Sequence, residues 1–222
     1  MEIIDEALKK GRTALSEFES KKLLAQYDIP ITKEVLVANE NNLKEAIQEI
    51  GYPIVLKGCS AEIGHKTEKG LVQVGIHDED EALFAFNRIS ELMNEAGSEV
   101  LVQEMVQGKR ELVAGLKRDP QFGPCVMFGL GGIFTEILQD VCFRVAPIEE
   151  IDAFEMMDEI KGHKMLEAFR GMEPVDRTML AKLLITIGQI GMEVEKIEEI
   201  DINPLIIRGN QPVAVDALIL LK

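Results

Sequence analysis

The pattern of the chain changes at Val100, and that change limits the folds open to it. From there four short apolar runs follow in quick succession, Val100–Val106, Glu111–Lys117, Pro124–Phe128 and Ile133–Leu138, with turn residues between them. Closely spaced runs of this kind predict an antiparallel sheet. Upstream, helix and strand alternate. Ser16 and Glu19 form a capping box that opens a helix to about Tyr27, before Pro30. Ile31–Ala38 reads as a strand, Asn41–Ile50 as a helix closed by Gly51, and Pro53–Lys57 as a buried strand ending in a charge. Gly58–Gly70 has glycines, polar residues and no apolar period, and so reads as a loop. A strand over Leu71–Ile76 and an amphipathic helix over Asp78–Ala96 complete this half. Beyond the sheet come helices at Ile148–Glu159 and Asp176–Glu193, then strands Ile197–Ile207 and Val213–Leu220 joined by a turn at Arg208–Gln211. The expected fold class is α+β in two lobes, residues 1–97 and 98–222.

Composition narrows the partners. The 222 residues carry 39 acidic against 24 basic side chains, a formal charge of −15. A field of that sign repels nucleic acid and anionic lipid, so a polyanion ligand has to meet a local cluster of cations. No apolar stretch approaches the roughly 20 residues that span a bilayer, and Met1–Lys10 contains no secretory h-region. Cys59, Cys125 and Cys142 are too few and too irregular for a disulfide framework or a zinc site. A reducing cytoplasm is the expected setting.

Four segments carry candidate chemistry. Lys57 stands at the mouth of a buried strand before the polar loop, suited to gripping phosphate oxygens with a point charge and free backbone N–H groups. That loop contains His65, between a glycine and a lysine–threonine pair, whose imidazole is partly neutral near pH 7 and available as a nucleophile. The segment Gln103-Glu104-Met105-Val106 to Glu111 places two carboxylates around a glycine-containing turn. Such a hinge offers backbone groups to an adenine edge and carboxylates to an amino group and ribose hydroxyls. The same residues could equally form a hairpin with a solvated acidic rim. In Ile200-Asp201-Ile202-Asn203-Pro204-Leu205, Asp201 and Asn203 are two apart and project to one face of a strand, with Asp216 able to approach across the hairpin. Two acids and an amide among Ile200, Ile202, Leu205 and Val215 are costly to bury without a cation, and oxygen-only donors suit magnesium. Last, Gly129, Gly131 and Gly132 permit close backbone approach, and Arg144 is a candidate phosphate clamp; a plain turn would explain the glycines as well.

In this order the four pieces resemble the ATP-grasp β subunits of ADP-forming acyl-CoA (acetyl-CoA) synthetases, and more distantly the β subunit of succinyl-CoA synthetase. The resemblance covers most of the chain: Leu15–Pro30 is similar to the family's opening helix, His65-Lys-Thr-Glu-Lys-Gly70 to its histidine loop, and Glu199–Leu205 with Asp216 to its metal hairpin. It implies a two-lobed ATP-grasp fold with the nucleotide held between the lobes. It further implies Lys57 on nucleotide phosphates, Glu104, Met105, Val106 and Glu111 on adenine and ribose, and Gly131 and Gly132 lining the site. Asp201, Asn203 and Asp216 would hold Mg2+, and Arg144 and His65 would act in phosphoryl transfer. The cofactors implied are ATP or ADP and Mg2+. The one departure is Leu71, which stands where the loop usually has a second glycine and would stiffen its hinge.

The implied reaction is acyl-CoA + ADP + phosphate ⇌ acid + CoA + ATP, with His65 passing a phosphoryl group between a partner-subunit phosphohistidine and ADP. The chain contains neither a further CoA-ligase domain after Lys222 nor a CoA-binding Rossmann half. A separate CoA-binding α subunit, and hence a hetero-oligomer, is therefore expected. Two other readings share these residues: a stand-alone ATP-grasp carboxylate–amine ligase, which has no need of His65, and a nucleotide-sensing subunit without transfer activity. His77 and His163 read as structural.

Overall fold

The computed structural model describes residues 2–60, 70–93, 99–132, 140–168 and 171–222. His65 and the expected strand Ile133–Leu138 lie outside the described residues. The chain divides into two compact units. One comprises Ser16–Phe18 and Thr32–Val106; the other comprises Met1–Leu15, Glu19–Ile31 and Gln107–Lys222.

The smaller unit is a four-stranded antiparallel sheet with two helices on one face. Strands β1 (Glu34–Val37), β2 (Ile54–Cys59), β3 (Val72–Ile76) and β4 (Glu99–Glu104) lie in the order β1-β4-β2-β3. Helices α3 (Glu40–Ile50) and α4 (Glu79–Met93) cover the face that carries Val37, Ile54, Leu56, Val100 and Val102. Asn39 caps α3 by accepting from Asn42 N–H, and Gly51 closes it at φ 81°, a backbone state that disfavours a side chain. Leu71 is only 3% exposed and packs in this core, so the departure from the family's glycine is filled by apolar contact at the end of the loop. Strand β2 runs two residues further than the sequence reading, through Gly58 and Cys59. A Cβ at Gly58 would meet Met93 Sδ at 2.8 Å.

The larger unit is an antiparallel sheet built on β5 (Glu111–Asp119), β6 (Gly123–Leu130), β7 (Val141–Val145), β8 (Ile197–Arg208) and β10 (Ala217–Leu221), ordered β10-β8-β5-β6-β7. Strand β9 (Gln211–Ala214) pairs with the far end of β8. Helices α1 (Glu2–Lys9), α5 (Glu150–Glu159) and α6 (Arg177–Glu193) contribute Ile4, Met156, Met157 and Leu184 to its core; so do Leu23 and Leu24 of α2 (Glu17–Ala25). Arg118 closes the end of α6 by donating to the carbonyls of Gly191 and Val194 at 2.5 and 3.0 Å.

Three readings are corrected here. The expected lobe boundary at residue 97 moves to about 106, because Val100–Val102 zip onto both β1 and β2 rather than joining the second sheet. Residues up to Leu15 and most of α2 group with the larger unit, whose core receives Ile4, Ala7 and Leu15. The last expected strand is broken at Val215–Asp216 into β9 and β10. No helix among the described residues is long and apolar enough to cross a membrane.

Candidate functional site

In the larger unit the strand register decides which side chains share a face. Phe143, Met127, Gly115, Asp201 and Leu218 lie directly opposite one another across five strands. Directly opposed residues point the same way, so Asp201 sits on the sheet face turned away from the helices. The adjacent rung is Arg144, Val126, Leu116, Ile200 and Ile219, and the last four are buried in the helix-covered core. Arg144 therefore faces the opposite side from Asp201. Its guanidinium donates to Glu159 at 2.7 Å and lies 3.8 Å from Glu155, both on α5. The sequence expectation of Arg144 as a phosphate clamp beside the metal residues is not met by this arrangement: strand alternation turns it to the helices.

Asp201, Asn203 and Asp216 do come together. Leu112 opposes Leu205 and Ala114 opposes Ile202, so Asn203 and Pro204 share the single position of Val113. This is a β-bulge, which bends the strand and re-aims a side chain. Across it, Asn203 N–H donates to the Asp216 carbonyl at 3.2 Å, and Val215 N–H to the Pro204 carbonyl at 3.1 Å. The break between β9 and β10 thus lies against the bulge in β8. The Asp201 carboxyl is pushed up to about 6, first by burial and then by the charges of Glu199 and Asp216. Glu199 was not singled out in the sequence, although its spacing of two from Asp201 already put it on the same face.

That environment fits a divalent cation. The donor set is oxygen throughout, and a desolvated carboxylate beside two like charges is stabilised by a counter-ion. Among the described residues no group of three His, Cys, Asp or Glu side chains is close enough to hold a metal by itself. The set is two carboxylates and an amide, which leaves positions for water and phosphate oxygens, as magnesium prefers.

Glu111 opens β5, and the glycines beside it have a specific role. Gly131 N–H donates to the Glu111 carbonyl at 2.9 Å, and a Cβ on Gly131 would lie 2.5 Å from the Leu112 carbonyl oxygen. At Gly132, φ is +62° and a Cβ would stand 2.2 Å from Glu111 Oε2. Only glycine lets the carboxylate lie flat against this turn. Immediately before it, Arg110 is 2% exposed and donates to the carbonyls of Gly209, Met165 and Glu167 at 2.9, 3.4 and 3.5 Å. This buried cation ties the start of β5 to the turn after β8 and to the segment following α5.

In the smaller unit Lys57 lies on the face of the sheet away from α3 and α4, opposite Leu101 and Val72. Its ammonium is 2.6 Å from Glu17 Oε1, and both side chains are almost wholly buried, at 7% and 1% exposure. Sequence reading used Glu17 only as an interior position of the capping box; no spacing rule links it to a lysine 40 residues on. Glu104 ends β4 and accepts Lys33 N–H at 2.9 Å. Met105 N–H donates to the Pro53 carbonyl at 3.1 Å, and Val106 is 8% exposed.

Comparison with known proteins agrees with the architecture. The ATP-grasp domain family matches residues 6–221. The chain is 42% identical to "Acetate--CoA ligase [ADP-forming] I subunit beta" of Pyrococcus furiosus, over 99% of this chain and 97% of that one. Subunit beta of ligase II from the same organism is 37% identical over 100% and 98%. Among solved structures, the dinucleotide-forming acetyl-coenzyme A synthetase 1 of Ca. Korarchaeum cryptofilum, in complex with coenzyme A, Ca-AMPCP and HgCl+, superposes with a TM-score of 0.94 at 43% identity, covering 100% of this chain and 99% of that one. A second structure of that synthetase, with coenzyme A and Mg-AMPPCP and its phosphohistidine segment pointing towards the nucleotide binding site, gives a TM-score of 0.88 at 42% identity, covering 100% of this chain and 99% of that one. The chain belongs to the ATP-grasp family, with the β subunits of the ADP-forming acetate–CoA ligases.

Proposed function

We propose that this chain is the nucleotide-handling β subunit of an ADP-forming acyl-CoA ligase and passes a phosphoryl group through His65 to ADP. The observation that carries the reading is the cluster at the β8 bulge, where a half-buried Asp201 carboxylate, an exposed amide and Asp216 converge, and where burial and the charges of Glu199 and Asp216 push the Asp201 carboxyl up. Asp201, Asn203 and Asp216 would hold Mg2+, which when bound neutralises charge on the phosphate oxygens. Lys57 adds a point charge for a phosphate. Glu111, held flat by Gly132, accepts from ribose hydroxyls. At the hinge, Met105 N–H is already committed to Pro53, so a base edge takes its N–H from Val106 and its remaining contacts from Glu104. Arg144 is left out of the phosphate set, because it pairs with α5.

In the relay, a His65 ring nitrogen attacks the phosphorus of a partner-subunit phosphohistidine; the new N–P bond forms as the old one breaks. A terminal phosphate oxygen of ADP then attacks that phosphorus, forming the P–O bond of ATP and releasing neutral His65. Phosphoryl transfer asks little covalent chemistry of the protein, so positioning and charge neutralisation are what these residues supply. In this reading a CoA-binding α subunit carries the acyl group and the first phosphohistidine; the naming of the relatives as β subunits supports the existence of a partner subunit.

The test is His65→Ala in the complex with the partner subunit. Net ATP formation from an acyl-CoA, ADP and phosphate is lost while MgADP binding is kept. Turnover at the wild-type rate would refute the relay.

A further inference from the structure

The Glu17–Lys57 pair has a consequence for how nucleotide enters and leaves. Lys57 sits inside β2, with both strand neighbours in place, and its ammonium already touches a carboxylate at 2.6 Å. Glu17 is the first residue of α2, where a negative charge is favoured by the unpaired N–H groups of the helix end. Both side chains are buried, so the interaction is screened little by solvent. A lysine read as the grip for a nucleotide phosphate is thus already held by an internal anion.

We propose that Glu17 is the resident counter-ion of Lys57: its carboxylate orients the ammonium before nucleotide arrives and competes with the incoming phosphate for it. The proposal rests on the reading of Lys57 as a phosphate-binding residue. Two anions sharing one ammonium repel each other, so nucleotide affinity is held below what Lys57 alone would give. Exchange of one anion for the other keeps the buried ammonium paired throughout, avoiding the several-kcal/mol desolvation of an unpaired charge. It also leaves a route for release, because Glu17 recaptures Lys57 as the phosphate departs. Glu17 is thus a positioning residue, acting on substrate through Lys57.

The sign of the effect separates this from a structural role. Replacing Glu17 with Gln keeps size and hydrogen-bonding capacity but removes the charge. Like charges about 6 Å apart at an effective dielectric of about 20 correspond to roughly a hundredfold change in affinity. Glu17→Gln in the full chain is therefore expected to bind MgADP about a hundredfold more tightly by calorimetry, with slower release in stopped flow, and to melt at lower temperature without nucleotide. A purely structural role lowers both stability and affinity. Unchanged or weaker binding in Glu17→Gln, with Lys57→Met clearly weakened, would overturn the counter-ion role and leave Lys57 in place. If Glu17→Gln and Lys57→Met both bind as wild type, the phosphate role of Lys57 fails, and this inference with it. Should Glu17→Gln not fold, the wild-type chain still decides. The 13C carboxylate resonance of Glu17 moves on saturation with MgADP if the pair is exchanged, and a stationary resonance overturns the proposal.

Discussion

Asp201→Asn is the perturbation that most directly weighs the site against the stability of the fold. The Asp201 carboxyl titrates at about 6 rather than 3.8, because burial and the charges of Glu199 and Asp216 disfavour its ionised form. A group whose folded pKa lies above its unfolded one binds more protons folded than unfolded between those two values. Stability then falls as pH rises through that window. The penalty is complete above about pH 6 and absent below about pH 3.8, where both states are protonated. Raising the carboxyl from 3.8 to about 6 corresponds to about 3 kcal/mol at the upper limit. Asparagine has nearly the same shape and cannot ionise, so the variant escapes this penalty.

In metal-free buffer at pH 8, Asp201→Asn should be more stable than wild type by about 2–3 kcal/mol in urea denaturation. For a chain of this size that is a rise of roughly 5–10 °C in melting temperature. The gap should close as pH is lowered to 4. Millimolar magnesium should stabilise wild type at pH 8 and leave the variant unmoved, narrowing the gap from the other side. A variant less stable than wild type at pH 8 without metal would refute the reasoning. So would a gap that survives at pH 4, since it would then come from packing and not from ionisation.

Three further outcomes follow from the geometry. Gly132→Ala places a methyl 2.2 Å from Glu111 Oε2 at a φ of +62°; it should cost about 1–3 kcal/mol of stability by calorimetry and weaken MgADP binding at least several-fold. Arg144→Ala removes an ion pair whose Glu159 side chain is 52% exposed, so stability should change by under about 1 kcal/mol and MgADP affinity should stay within twofold of wild type; a tenfold loss of affinity would restore Arg144 to the phosphate site. Arg110→Met strands the carbonyls of Gly209, Met165 and Glu167, and should destabilise the chain by about 2–4 kcal/mol in urea.

What the sequence disclosed, and what it withheld, follow from the range of the interactions concerned. Helix α3 was legible to within a residue at its start and outright at its stop, Gly51, because helix ends are set by residues within a few positions; its cap at Asn39 was not read. Strands β5, β6 and β8 were legible for the same reason, through turns close in sequence, whereas β7 (Val141–Val145) was not read as a strand at all. The lobe boundary was misjudged because β4 is assigned by its hydrogen bonds to strands 46 and 63 residues earlier, through Leu56↔Val102 and Val37↔Val100. A period of two looks the same in either sheet.

The residues of the candidate site divide along that line. Asp201 and Asn203 announced themselves, since two polar groups spaced by two within an apolar strand point to one face whatever the strand pairs with. Glu199 obeys the same spacing and was available to the same reasoning. Glu17 was not, because what singles it out is its distance to Lys57, a tertiary fact. Arg144 is the instructive intermediate. Its own strand alternates visibly, with exposed Phe143 and Val145 on either side, and that alone turned it away from them. What remained undetermined was which face of β7 matched which face of β8, three strands away across β6 and β5. Only the register through Met127 and Gly115 settles that Phe143, and not Arg144, shares a face with Asp201. A polar side chain in a strand therefore becomes a site residue only once the faces of the intervening strands are aligned, and a lone arginine after a glycine-rich turn carries no such alignment with it.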